Sequence, residues 1–135
     1  MNDRLFIDTN IWVYLYSDIN KANKAVDIIE KNFNSIIIST QILTELFNVL
    51  IKKKIKSKTE SLQIISEIAS NFRIIELNKQ IVLDAAVIAN KLQYSIYDSL
   101  IITVALQNNC KYLISEDLQH NQIINGTLKI VNPFI

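Results

Sequence analysis

Along this chain, short apolar runs alternate with longer stretches in which apolar residues recur every three or four positions. Arg4 to Ile7 reads as a short buried strand, followed by Asp8-Thr9-Asn10, residue types that favour helix caps and turns. Ile11 to Tyr16 then reads as a short apolar helix. Lys21 to Lys31 carries Ala22, Ala25, Val26 and Ile29 on one helical face. Ser35 to Ser39 encloses Ile36, Ile37 and Ile38, a β-branched run suited to a strand covered on both faces. Ser39 or Thr40 is placed to cap a long helix reaching about Lys54. A second helical stripe follows through Leu62, Ile65, Ile68 and Ala69, and Phe72 to Leu77 reads as another strand. Asn78 is placed to cap a helix with the stripe Ile81, Ala85, Ile88, Ala89 and Leu92. Tyr97 to Gln107 is apolar nearly all round, which predicts a central buried helix. Lys111 to Ile114 and Leu128 to Val131 complete the predicted strands.

Strands alternating with helices imply a mostly parallel sheet with helices on both faces, an α/β class. At 135 residues the chain is expected to form a single domain, residues 1–135. In such sheets ligands sit beyond the carboxyl ends of the strands, where the strand order reverses. Asp8 and Asp117 each fall just after a predicted strand, on that edge.

Composition narrows the chemistry. The only glycine is Gly126 and the only proline is Pro133, so neither a P-loop nor a dinucleotide fingerprint nor a G-x-S-x-G elbow can be built. Cys110 stands alone and can form neither an internal disulfide nor a zinc site by itself, which suits a reduced, cytoplasmic setting. No signal peptide is expected, and runs such as Leu100 to Leu106 are far shorter than the roughly 20 residues of a membrane helix, so no membrane partner is expected. A net charge of +1 gives the whole chain no strong attraction to polyanions. Lys52, Lys53 and Lys54, with Lys56 and Lys58 just beyond, form either a solvated helix end or a basic rim for a phosphate backbone.

The candidate chemistry lies in four acids, Asp8, Glu45, Asp98 and Asp117. Two unit charges about 4 Å apart at an effective dielectric of about 20 repel by roughly 4 kcal/mol, so carboxylates that converge require neutralisation, usually by a divalent metal. Each acid also has a plainer role open to it. Asp8 suits a helix cap, with Thr9 and Asn10 beside it to hold a carboxylate or orient water. Gln41, Glu45, Asn48 and Lys52 form one polar stripe on an otherwise apolar helix, facing either water or a cleft. Ser95 and Asp98 have capping-box spacing, and an acid there also suits the helix dipole. Asp117 suits a turn, with Glu116 as a competing acid, and Ser115-x-Asp117 puts a hydroxyl and a carboxylate on one side of an extended chain.

Together these residues resemble the PIN-domain family along the whole chain. The resemblance is carried by Phe6-Ile7-Asp8-Thr9-Asn10, the helical Glu45, Tyr97-Asp98-Ser99 opening an apolar helix, and Leu113-Ile114-Ser115-Glu116-Asp117. The stretch from Ser115 through His120 to Asn132-Pro133-Phe134 is similar to the VapC-like toxin ribonucleases of bacterial toxin–antitoxin pairs. Asn121 stands where that subgroup would have glycine, and Asn tolerates left-handed backbone better than most residues. The resemblance implies a three-layer α/β/α sandwich with a central, mostly parallel sheet, and metal-dependent cleavage of RNA. It implies that Asp8, Glu45, Asp98 and Asp117 form the acidic cluster, with Asp8, Asp98 and Asp117 as metal ligands. Thr9, Asn10 and Ser115 would support them.

The expected reaction is hydrolysis of single-stranded RNA with Mg²⁺ or Mn²⁺, which suit hard oxygen ligands and require no protein nucleophile. Expected partners are an RNA substrate, a small antitoxin protein and a second copy of the chain in a homodimer. Rival readings are a non-catalytic PIN-like module that binds nucleic acid or a partner, and a phospho-acceptor receiver-like domain. The second would need another acid beside Asp8, where Thr9 and Asn10 stand. A Ser/His/Asp hydrolase using His120 with Ser99 or Ser115 lacks a nucleophile elbow. Trp12, Tyr14 and Tyr16 could stack bases, though aromatics in an apolar helix are more often core.

Overall fold

The apolar runs form strands and the periodic stretches form helices. The computed structural model describes residues 3–135, so two residues of the expected domain, 1 and 2, lie outside the description. In chain order the elements are β1 (Leu5–Ile7), α1 (Thr9–Ser17), α2 (Ile19–Lys31), a 3-10 turn (Phe33–Ser35), β2 (Ile36–Ser39), α3 (Thr40–Lys52), α4 (Lys58–Asn71), β3 (Arg73–Ile75), α5 (Lys79–Leu92), α6 (Ile96–Gln107), β4 (Tyr112–Ile114), β5 (Ile123–Ile124) and β6 (Leu128–Val131).

Capping side chains move several helix starts earlier than the apolar stripes suggest. Asp18 accepts hydrogen bonds from the backbone N–H groups of Asn20 and Lys21, at 3.1 and 3.2 Å, and so starts α2 at Ile19. Asp8 occupies the cap position of α1, which therefore begins at Thr9 rather than Ile11. Ser95 caps α6 by accepting from the Asp98 N–H at 3.1 Å. The strand read over Phe72 to Leu77 shortens to Arg73–Ile75 because Phe72 ends α4, its N–H bonded to the Ile68 carbonyl at 3.1 Å.

The sheet has six strands in the order β3-β2-β1-β4-β6-β5, all parallel except β5, which runs antiparallel to β6. β1 lies at the centre, pairing Leu5 with Ile36 of β2 on one side and with Tyr112 of β4 on the other. From β1 the chain builds outward through β2 to β3, then returns to the opposite side of β1 to lay down β4. The strand order thus reverses between β1 and β4, which opens a crevice at their carboxyl ends. α5 packs against α6, and α6 lies against β2 and β4; α1 packs against α2 and α3, and α3 against α4. This is the three-layer α/β/α arrangement.

The core fills the space between layers. Ile36, Ile37 and Ile38 are all buried, as are Ser99 to Ala105 of α6, in accord with its apolar circumference. Trp12 is 1% exposed, donates from Nε1 to the Ile7 carbonyl at 3.1 Å and meets Phe72 edge-on at 5.3 Å. It is therefore a core residue and not a base-stacking platform. Among the described residues no helix is long and apolar enough to cross a membrane.

Asn121 does adopt the left-handed conformation, with φ +70°. Its N–H donates to the Ile130 carbonyl at 2.8 Å, holding the turn into β5. Asn121→Gly keeps that N–H and removes the Cβ penalty, so it is expected to stabilise the fold by up to about 1 kcal/mol. Thermal unfolding checks this, and a lowered midpoint would mean that the Asn121 side chain holds the turn.

Candidate active site

Asp8 and Asp117 stand at the carboxyl ends of β1 and β4, the two strands flanking the crevice. Each carboxylate is held by a residue from the other strand's segment. Asp8 accepts from the Thr9 backbone N–H at 2.7 Å and from Ser115 Oγ at 2.8 Å. Asp117 accepts from Asn10 Nδ2 at 2.6 Å. The supporting residues thus divide differently from the local expectation: Ser115 serves Asp8 across the crevice, and Asn10 serves Asp117. The Asp8 N–H also bonds to the Ile114 carbonyl at 2.9 Å, so this cross-brace is fixed at its base by the sheet.

Glu45 and Asp98 arrive on helices. The polar stripe of α3 resolves into two halves. Gln41 is buried and Glu45 half-buried, whereas Asn48 and Lys52 are exposed, so the first half faces the crevice and the second faces solvent. Gln41 Nε2 donates to the Tyr97 carbonyl at 3.1 Å, tying the first turn of α3 to that of α6 and bringing Glu45 towards Asp98. Asp98 forms only half of the expected capping box. Its N–H reaches Ser95, but among the described residues its carboxylate has no hydrogen-bond partner.

The charges of these acids act on one another. Burial pushes the Asp8 carboxyl above its ordinary value, Ser115 and Thr9 pull it back, and the charges of Asp117 and Asp98 raise it further. Burial likewise raises Glu45, Gln41 opposes this, and Asp8 and Asp98 add to it. For Asp117 burial leads, followed by the charges of Glu116 and Asp98, against the lowering effects of Asn10 and Lys53. Asp98 thus lies near enough for its charge to act on Asp8, Glu45 and Asp117. Of the three rim lysines, Lys53 is the one whose charge reaches Asp117; Lys52, Lys53 and Lys54 are all exposed at the end of α3.

Among the described residues, no three Asp, Glu, His or Cys side chains stand close enough to enclose an ion as placed, the expected ligands Asp8, Asp98 and Asp117 included. The surroundings nevertheless suit one. Among the described residues seven buried side-chain oxygens have no hydrogen-bond partner in the protein, and Thr9 Oγ1, beside Asp8, and Gln41 Oε1 and Glu45 Oε1, on the inner half of α3, are three of them. An unmet buried oxygen costs about 1–3 kcal/mol, and a hydrated cation beside Glu45 Oε1 would offset that cost there. The donor set is all oxygen, matching Mg²⁺ or Mn²⁺ rather than a softer metal. His120 lies away from this chemistry, its Nδ1 accepting from the Asn132 N–H at 2.9 Å.

Comparison with known proteins agrees with this architecture. The structure is similar to a toxin–antitoxin complex from Klebsiella pneumoniae, with 22% identity, a TM-score of 0.72, and coverage of 96% of this chain and 97% of that one. It is also similar to VapBC2 from Rickettsia felis bound to a promoter DNA fragment, at 21% identity and a TM-score of 0.71, covering 95% and 98%. A third similar structure is Mycobacterium tuberculosis VapC20, described as a sarcin–ricin loop cleaving toxin, at 15% identity and a TM-score of 0.68, covering 84% and 89%. Among curated proteins there is no significant match. The PIN domain profile matches residues 5–124, nearly the whole chain. The chain belongs to the PIN domain family.

Proposed function

We propose that this protein is a metal-dependent endoribonuclease that hydrolyses phosphodiester bonds of single-stranded RNA, and that it acts as the toxin of a toxin–antitoxin pair. The observation that carries this reading is that Asp8 and Asp117 flank the β1–β4 crevice, with the charge of Asp98 acting on both and on the half-buried Glu45. Membership of the PIN domain family and the similarity to toxin components support it.

Asp8, Asp98 and Asp117 would hold Mg²⁺ or Mn²⁺, whose contribution is to activate water and neutralise charge on the phosphate. The chain's own residues supply orientation. Thr9 and Ser115 fix both oxygens of Asp8, and Asn10 fixes Asp117. Glu45 has one buried oxygen without a partner and faces the same crevice, which suits it to hold or pass a proton at Oε1. Lys53, with Lys52 and Lys54, would hold the phosphate backbone at the open rim.

Toxin–antitoxin complexes among the similar structures support a small antitoxin partner. The exposed apolar residues Val82, Leu83 and Val87 of α5 support pairing of two copies, which sedimentation equilibrium tests directly.

Incubation of a labelled single-stranded RNA with Mg²⁺, Mn²⁺ or EDTA tests the reaction. Cutting with either ion and none in EDTA is expected. Undiminished cutting in EDTA would remove the metal from the mechanism, and Mn²⁺ binding without cutting would favour a non-catalytic binding module.

A further inference from the structure

Glu116 lies beside Asp117 in sequence, yet its carboxylate is committed elsewhere. α1 presents Asn10 and Tyr14 one helical turn apart, and these two side chains make successive rungs to the 116–117 segment. Asn10 Nδ2 donates to Asp117 Oδ2 at 2.6 Å, and Tyr14 Oη donates to Glu116 Oε1 at 2.9 Å. Lys21, from the first turn of α2, closes over the second rung. Its Nζ reaches both Glu116 oxygens, at 2.9 and 3.2 Å, and the Tyr14 hydroxyl at 3.3 Å.

The chain's last residues cover this cluster. Lys21 Nζ sits 4.4 Å from the Tyr14 ring centroid and 5.1 Å from that of Phe134, and the two rings meet edge-on at 5.5 Å. The Phe134 N–H is bonded to Asn132 Oδ1, and the Asn132 N–H to His120 Nδ1, both at 2.9 Å. Lys21 and Glu116 side chains are only 34% and 27% exposed. An isolated surface ion pair would contribute little, but this one is shared among Lys21, Glu116 and Tyr14 beneath the Phe134 ring.

We propose that Glu116 is a positioning residue: latched by Tyr14 and Lys21, it sets the 115–117 segment so that Asp117 enters the acidic centre while Glu116 stays out of it. The latch rests on the reading of that centre given above. It assigns the two adjacent acids opposite tasks, one facing the crevice and the other anchored one helical turn away along α1.

The test compares Lys21→Met, Glu116→Gln, their double variant and Lys21→Arg with wild type and Asp117→Asn. The readouts are kcat and KM for RNA cleavage and, independently, Mn²⁺ affinity by titration calorimetry. Lys21→Met and Glu116→Gln are each expected to lower kcat and Mn²⁺ affinity about ten- to a hundredfold with little change in KM, as loss of a group orienting a ligand typically does. The double variant should be no worse than either single one, and Lys21→Arg should retain most function. Wild-type behaviour of Lys21→Met would overturn the latch and leave a solvated ion pair. If Glu116→Gln alone matched Asp117→Asn while Lys21→Met stayed harmless, Glu116 would be acting directly on the metal. If wild type binds Mn²⁺ without cutting RNA, the nuclease reading fails, and weaker Mn²⁺ binding by Lys21→Met still supports the latch. If wild type neither cuts nor binds, there is no centre to position and the latch falls.

Discussion

Asp98→Asn is expected to abolish RNA cleavage, lowering kcat/KM at least about a thousandfold, or about 4 kcal/mol of transition-state stabilisation. The substitution is unusually clean. The Asp98 backbone N–H, not its side chain, completes the Ser95 cap at 3.1 Å, so α6 still starts at Ile96. Among the described residues its carboxylate holds no other group in place, and asparagine preserves its shape. Charge at the crevice is what disappears. Asp8→Asn is less selective, because Asp8 also accepts from Thr9 and Ser115 and sits 6% exposed at the base of the cross-brace. Full activity in Asp98→Asn, with unchanged circular dichroism, would show that the Asp98 carboxylate has no part in catalysis.

Stability should depend on pH and metal with opposite signs. Without metal, the Asp8, Glu45 and Asp117 carboxyls all bind protons more readily in the folded chain than in the unfolded one. Their contribution is therefore fully present below the ordinary carboxylate values, about 4, and is lost as pH rises through the elevated folded values. Metal-free protein should accordingly gain in melting temperature as pH falls from 7 towards about 5, and Asp8→Asn should flatten that gain.

At neutral pH, Mn²⁺ at about a hundred times its dissociation constant should add about 2.7 kcal/mol. For a chain of this size that is a rise on the order of 10 °C. The metal-induced rise should shrink as pH falls, because protons compete with the ion for the raised Asp8 and Asp117 carboxyls. Thermal scans across pH with and without Mn²⁺ read both effects. A metal-free melting temperature that climbs from pH 5 to 7, unaltered by Mn²⁺, would contradict the coupled acidic centre.

The elements of the fold were legible because apolar spacing encodes burial locally. The triple isoleucine of β2 and the all-apolar α6 need no knowledge of their neighbours to be recognised. β5 was not legible: two residues, one of them exposed, carry no periodicity, and the strand exists only because β6 is there to pair with it. The same division runs through the site. Asp8 and Asp117 were placeable because each follows an apolar run, and the resemblance to PIN domains grouped them with Glu45 and Asp98.

What serves which acid was hidden. Ser115 reaches Asp8 and Asn10 reaches Asp117 only because β1 and β4 are neighbours, a fact of strand order that no local pattern records. The direction of the Gln41–Glu45 stripe likewise depends on α6 lying across from α3, through the contact of Gln41 with the Tyr97 carbonyl. Lys21 gave no signal at all. In the sequence it only opens the stretch Lys21 to Lys31, yet it binds Glu116, 95 residues away.

The most direct test of the proposed metal centre is a crystal of the protein soaked in Mn²⁺, with the ion located by anomalous scattering. A peak in the β1–β4 crevice within ligand distance of Asp8, Asp98 and Asp117 oxygens is the predicted result. No peak in the β1–β4 crevice at saturating Mn²⁺, or one bound elsewhere on the surface, would contradict the account and reduce the four acids to caps and turns.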